Sequence, residues 1–146
     1  MPSVRSGRRP RGRRRAQKLA VRSQVWLEVD GRRVFSVGRM QLLEAIQSEG
    51  SIQKAAESLG MSYRAAWGKL KVTEEAMGIS LLDRSIGGSK GGGAQLTEEA
   101  HDLMARYRSC CKAVNTAADR SFEKAFTAKT ARASAKGKRS SRRSSP

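Results

Sequence analysis

Short amphipathic segments that glycines separate restrict the fold of this chain more than any other feature. In the first of them, Leu42, Leu43 and Ile46 follow helical spacing, and Gly50 comes where the glycine after a helix is expected. This pattern predicts a first helix near residues 39–48.

Two further helices follow in the same manner. Ser51 is a good N-cap for a short helix that ends at Gly60, and Ser62 caps a third helix that ends at Gly78. The third helix is expected to bury one side, formed by Ala66, Leu70, Thr73 and Met77. Two short helices joined by a turn that contains glycine are typical of a helix-turn-helix.

Strands are predicted on both sides of these helices. In residues 25–38, apolar and polar side chains alternate around Asp30 and Gly31, a hairpin turn signal, and we expect Val37 to belong to the returning strand. Residues 81–84 and 95–96 predict a second hairpin.

A glycine-rich loop and a long last helix complete the pattern. The loop Gly87–Gly93 lies between the two strands of the second hairpin, and Thr97 begins a helix whose apolar spacing continues to about Ala118. This length exceeds what one small core needs, so we interpret the excess as a dimer interface. Its predicted residues are Leu103, Tyr107 and Val114. The fold class is therefore mainly α with small β hairpins: a winged helix-turn-helix with a long C-terminal dimerisation helix.

Charge divides the chain into three parts. Of its 30 Lys and Arg residues, nine lie in residues 1–22 and eight in residues 124–146, where no acidic residue occurs. The other 13 lie in residues 23–123 with all 13 acidic residues, so the net charge of +17 belongs to the ends. We predict a folded domain between two disordered basic arms, whose natural partner is a polyanion such as double-stranded DNA. A solubilising or targeting tail is the alternative.

Several classes of protein are not expected. No apolar stretch is long enough to span a membrane, and no apolar segment of a secretory signal follows the basic start, so we expect a cytoplasmic protein at the nucleoid. Cys110 and Cys111 are adjacent, which does not suit a mutual disulfide. With His101 as the only histidine, no metal site, no cofactor and no catalytic set of residues is predicted, so the chain is not expected to be an enzyme.

The glycine-rich loop does not match a nucleotide-binding loop. Lys90 is followed by Gly91 and not by the Ser or Thr that would hold magnesium, and the loop joins two strands. It is either a tight turn without contacts or a wing tip whose backbone amides approach DNA phosphates, and we favour the wing. The predicted wing contacts are Arg84, Ser89, Lys90 and Gly91.

Several motifs together resemble a known family. They are Gly50-Ser51-Ile52 with Ala55-Ala56, then Ser62-Tyr63-Arg64-Ala65-Ala66-Trp67, then Gly87-Gly88 with Gly91-Gly92-Gly93-Ala94 and Leu96-Thr97. Over roughly residues 25–123 the chain resembles the DNA-binding domain of ModE-type, molybdate-responsive transcription regulators, which is related to the LysR-type winged helix. The resemblance implies a DNA-binding fold and a homodimer. The family's molybdate-binding domains are not expected here, and molybdate is not predicted as an effector.

The third helix is the expected recognition helix, since in this motif its N-terminal residues meet base edges in the major groove. Its predicted contacts are Ser62, Tyr63, Arg64, Trp67, Lys69 and Lys71. Arg64 is expected to read guanine, and Ser62 and Lys69 to hold phosphates. For Trp67, packing inside the protein is favoured over DNA contact. Gly68, inside this helix, indicates a close approach by another group.

The arms are expected to add contacts of their own. Residues 8–15, RRPRGRRR, are close to the core of a minor-groove AT-hook, with Arg14 where its second proline would stand. The predicted arm contacts are Arg11, Arg13, Arg14 and Arg142. The leading hypothesis is a dimeric, sequence-specific transcription regulator. The alternatives are an architectural protein that coats DNA through its arms and an adaptor that binds another protein.

Overall fold

The fold is a short sequence of strands and helices around one core, seen in a computed structural model that describes residues 18–83 and 93–127. The elements in chain order are β1 (Trp26–Val29), β2 (Arg32–Ser36), α1 (Val37–Glu49), α2 (Ile52–Ser58), α3 (Tyr63–Met77), β3 (Leu82–Asp83), β4 (Gln95–Leu96) and α4 (Glu98–Phe122), followed by a π-helical turn at Glu123–Thr127. This order confirms the predicted winged helix-turn-helix with a long last helix.

The first hairpin contains a bulge that explains its two adjacent buried residues. Leu27 pairs with Phe35 but Glu28 pairs with Arg33, so the register shifts and Val34 is the extra residue on β2. A bulge lets successive side chains face the same side. Both Val34 and Phe35 are accordingly buried.

The expected strand position of Val37 is wrong. β2 ends at Ser36, whose extended backbone leads directly into α1, and Val37 is the first residue of that helix. It is 60% exposed, because the start of α1 lies at the surface.

Hydroxyl side chains and glycines set the limits of the other helices. Ser51, Ser62 and Thr97 each accept the backbone N–H three residues later, at 3.3, 3.1 and 3.0 Å. Gly50 and Gly78 end α1 and α3 with φ angles of +67° and +65°, which favour glycine. The predicted starts of α2, α3 and α4 are therefore confirmed.

Side chains from every helix meet in one core. The buried apolar residues of the three helices before the second hairpin are Met40, Leu42, Leu43, Ile46, Ala55, Ala56, Ala66 and Leu70. Thr73 is buried too, and its hydroxyl donates to the carbonyl of Val34, which joins α3 to the first hairpin. Met77, expected to be buried, is only partly covered.

The first half of α4 closes this core. Leu103 and Tyr107 are only 7% and 4% exposed. The Tyr107 ring meets Phe35 edge to face with centroids 5.0 Å apart, and its hydroxyl donates to the Val25 carbonyl at 2.7 Å. The prediction that Leu103 and Tyr107 form a dimer interface is therefore corrected, because this chain's own core already covers them. Val114, 37% exposed, lies beyond the covered half.

Candidate nucleic-acid interface

The N-terminal end of α3, its leading end, is exposed to solvent. A turn through Leu59, Gly60 and Met61 separates it from α2, and the Met61 N–H donates to the Ala56 carbonyl at 3.0 Å. The Ser62 hydroxyl accepts the Ala65 N–H and so fixes the first turn of α3. Because this hydroxyl uses a lone pair there, its own hydrogen can still donate to a phosphate.

The exposed and buried sides of α3 are clearly separated. Ala66, Leu70 and Thr73 form its buried stripe. The predicted contact residues Tyr63, Arg64, Lys69 and Lys71 are all exposed. The chain's own interior therefore leaves this end of the helix open to a partner.

Two predicted contact residues have neighbours inside the protein. Trp67 is partly buried and packs against the core, as the packing interpretation predicts. Lys71 lies 3.7 Å from the carboxylate of Glu75 in an exposed pair one turn apart, which is a weak interaction that a phosphate can replace.

The base of the wing is attached to three other elements. The Leu81 N–H donates to the Glu74 carboxylate of α3 at 2.8 Å, and the Ser80 N–H donates to the Glu99 carboxylate of α4 at 2.9 Å. At the returning strand, the Ala94 N–H donates to the carbonyl of Gly50, after α1, at 2.8 Å.

Other predicted contacts lie outside the described residues. They are the wing residues Arg84, Ser89, Lys90 and Gly91 and the arm residues Arg11, Arg13, Arg14 and Arg142. The strands at the base of the wing are described, and they pair Leu82 with Leu96 and Asp83 with Gln95.

Sequence reasoning missed a group of arginines beside α3. Arg32 and Arg33 lie at the start of β2, and Arg39 lies in the first turn of α1. The Arg39 Nε donates to the Lys69 carbonyl at 3.3 Å. Burial lowers the pKa of Arg39, and the nearby charges of Arg32 and Arg33 lower it further. The doublet Arg32-Arg33 was the available signal, but the balanced total charge of residues 23–123 hid it.

Possible metal ligands, a buried tyrosine and the hydrophobicity of the helices are further properties of the described residues. Within residues 18–83 and 93–127, no three His, Cys, Asp or Glu side chains lie close enough together to hold a metal ion. Burial and a hydrogen bond with Cys111 raise the pKa of Tyr107 to about 12, so this phenol stays protonated and serves the core. None of the described helices is both long and apolar enough to cross a bilayer.

Comparison with known proteins supports the fold and the family resemblance. A family described as bacterial regulatory helix-turn-helix protein, lysR family, matches residues 37–101. The chain is 38% identical over 102 residues to the molybdenum transport protein ModE of Azotobacter vinelandii, covering 70% of this chain and 38% of that protein. It is 37% identical over 89 residues to the transcriptional regulator ModE of Haemophilus influenzae, covering 61% of this chain and 32% of that regulator.

Two solved structures that match this chain are DNA-binding domains in complex with DNA. The CbnR domain in complex with DNA matches with a TM-score of 0.48 and 23% identity, covering 62% of this chain and 99% of that chain. The BenM domain in complex with benA site 1 DNA matches with a TM-score of 0.46 and 23% identity, covering 63% and 98%.

These matches confirm the resemblance to ModE-type regulators for the part of the chain that they cover. Of these two relatives, the first is named as a molybdenum transport protein and the second as a transcriptional regulator. The chain spans about a third of the length of these two relatives.

Proposed function

We propose that this chain, whose residues 37–101 carry a helix-turn-helix domain of the lysR type, is a sequence-specific, DNA-binding transcription regulator that acts as a homodimer. The observation that carries the proposal is the exposed leading end of α3, with Tyr63 and Arg64 on its surface. The domain limits at residues 23 and 123 stay a prediction, and helical structure continues past the second limit to Thr127.

The first turns of α3 enter the major groove. There the Arg64 guanidinium binds the O6 and N7 atoms of a guanine, a bidentate contact that no other base offers in the same form. Ser62, Tyr63, Lys69 and Lys71 contact neighbouring phosphates, as do Arg84, Ser89, Lys90 and Gly91 of the wing. Trp67 supports the helix from its packed position and has no contact with bases.

The second half of α4 holds two copies together. Its apolar stripe continues from the covered Tyr107 to the exposed Val114. A two-fold axis would place two α3 helices on half-sites about 10–10.5 base pairs apart, or a multiple of that spacing, on a roughly palindromic operator. Arg11, Arg13, Arg14 and Arg142 of the arms add contacts to phosphates and to the minor groove.

The proposal includes no reaction and no bound cofactor. We place the protein at the nucleoid in the cytoplasm, where its DNA partner is. Molybdate is not part of the proposal.

Selection of bound sites from random double-stranded DNA by the full chain tests the proposal. A specific regulator enriches one short, roughly palindromic sequence. We expect Arg64→Ala to lower affinity for that sequence roughly 5- to 150-fold, the equivalent of about 1–3 kcal/mol. Arg106→Ala is the matched control, because Arg106 is an exposed arginine of α4 paired with Asp102 at 2.9 Å. Equal effects of the two variants would contradict the role of Arg64.

The basic arms favour a second candidate, an architectural protein that coats DNA without sequence preference. All of the net charge of +17 lies in residues 1–22 and 124–146. Competition separates the two candidates: a regulator keeps its selected site in a large excess of unrelated DNA, whereas a coating protein is displaced from it.

A further inference from the structure

An arginine cluster beside α3 has no role in the interface described above. It consists of Arg32 and Arg33 on β2 and Arg39 on α1. We infer that this cluster binds phosphates of the DNA backbone on the side of α3 that faces away from the wing. The inference rests on the proposed function, because it presupposes that α3 lies in a DNA groove.

Two hydrogen bonds fix the arginine cluster against α3. The Thr73 hydroxyl donates to the Val34 carbonyl, which holds β2 on the helix. The Arg39 Nε donates to the Lys69 carbonyl at 3.3 Å. Lys69 lies at the middle of α3 and Thr73 one turn later, so the two contacts hold the start of α1 and β2 against this helix.

The base of the wing is attached to the other side of α3. The Leu81 N–H, just before β3, donates to the Glu74 carboxylate. Since a helix turns by about 100° per residue, Lys69 and Glu74 lie about 140° apart, on either side of the buried stripe. The arginine cluster and the wing therefore flank the recognition helix from two sides.

The guanidinium groups of the cluster lack acidic partners in the described part of the chain. None of the three forms an ion pair within residues 18–83 and 93–127. Glu28 lies opposite Arg33 in the register of the hairpin, but its carboxylate accepts the indole N–H of Trp26 at 2.6 Å. The lowered pKa of Arg39 reflects its burial and the repulsion from Arg32 and Arg33. A bound phosphate would offset this repulsion.

Two of these groups are already held in position. The guanidinium carbon of Arg33 lies 4.4 Å from the centroid of the Trp26 ring. Arg39 uses its Nε for the bond to Lys69. A guanidinium carries five N–H donors, so the remaining donors of both groups can bind phosphate oxygens in a bidentate manner. Because the groups are held before binding, little side-chain entropy is lost on contact.

The location favours phosphates over bases. The major groove is about 12 Å wide, and a helix with its side chains is about 10–12 Å across. A helix of this size fills the groove, so groups at its sides meet the sugar–phosphate backbone. The arginine cluster therefore adds affinity that does not depend on sequence.

The salt dependence of DNA binding tests this inference directly. The full chain and its Arg32→Gln/Arg33→Gln variant are titrated onto the selected site and onto unrelated DNA between 50 and 200 mM salt. Losing two phosphate contacts makes the plot of log K against log salt concentration less steep by about 1.8. Over this range the affinity of the wild type therefore falls by about tenfold more than the affinity of the variant. Arg106→Gln/Arg120→Gln removes the same charge from exposed positions on α4 and is expected to keep the wild-type slope.

The outcomes separate this inference from the proposed function. If the Arg32→Gln/Arg33→Gln variant keeps the wild-type slope and specific binding still depends on Arg64, the inference about the cluster is overturned and the proposed function stands. A loss confined to the selected site also overturns it, since phosphates occur in every sequence. Absence of DNA binding by the wild type removes both. Arg32→Lys/Arg33→Lys guards against misfolding: it keeps the charge and is expected to keep most of the slope.

Discussion

Gly68 is a glycine in the interior of α3 that the described structure does not explain. A glycine in the interior of a helix makes that helix less stable than an alanine would, by about 1 kcal/mol. The sequence indicates a close approach by another group, yet no described atom lies within 4 Å of the position that a Cβ would occupy. Packing within residues 18–83 and 93–127 therefore does not explain the glycine.

We expect Gly68→Ala to stabilise the protein. Removing the entropic cost of glycine is expected to add about 0.5–1 kcal/mol to the free energy of unfolding, which raises Tm by about 2–8 °C for a domain of this size. Thermal unfolding followed by circular dichroism measures this shift. Ala65→Gly, at an exposed position in the same helix, is the matched control and is expected to lower Tm. A Tm of Gly68→Ala below that of the wild type would contradict the explanation.

α4 is attached to the first hairpin through a buried phenol. The Tyr107 hydroxyl donates to the Val25 carbonyl, and burial with the Cys111 hydrogen bond raises its pKa from 10.0 to about 12. A pKa raised on folding means that the native state holds the proton more tightly than the unfolded chain does. The phenol's stabilising contribution is therefore complete below pH 10 and is lost as the pH rises through 12.

Comparison of the wild type with Tyr107→Phe tests this attachment. The variant keeps the ring against Phe35 but has no ionisable group, so the wild type is expected to lose stability relative to it between pH 10 and 12. Urea unfolding in this range and near neutral pH gives the difference. Tyr63→Phe, at an exposed tyrosine, controls for loss of a phenol in general. A constant difference in stability across the whole pH range would contradict the raised pKa of Tyr107.

Helix limits were predictable where side chains encode them. Ser51, Ser62 and Thr97 accept hydrogen bonds from backbone amides, and hydroxyl residues at such positions can be recognised in the sequence. The start of α1 has no such signal, because Ser36 receives no capping bond from the described chain. The alternating pattern of residues 25–38 therefore favours the strand for Val37.

The spacing of apolar residues in the sequence predicts which of them share one side of a helix, but not which part of the whole molecule covers that side. Leu103, Tyr107 and Val114 follow one helical stripe, but only the position of the first hairpin and α1 decides that the first two are covered by this chain. The arginine cluster was hidden for a similar reason, since the contact of Arg39 with Lys69 and the effect of Arg32 and Arg33 on its pKa depend on the folded structure.

The remaining part of that stripe predicts how two copies associate. We expect Val114→Asp to raise the dissociation constant of the homodimer at least about tenfold, because a charge would lose its hydration in an apolar contact. Sedimentation equilibrium of the full chain measures this constant. Ser109→Asp, at an exposed position on a different side of α4, is the control and is expected to leave it unchanged. Equal dimerisation of both variants would exclude this stripe as the interface.

The bond from Ala94 to the Gly50 carbonyl affects more than the shape of the wing. This hydrogen bond joins the returning strand to the turn that precedes α2 and α3. It therefore restricts the movement of the base of the wing relative to these two helices. In the proposed complex, a wing restricted in this way adjusts little to the local width of the duplex, so the duplex bends or twists to fit the protein. Stiff steps resist this change more than pliant ones, and base pairs that no side chain touches would then influence which operators are accepted.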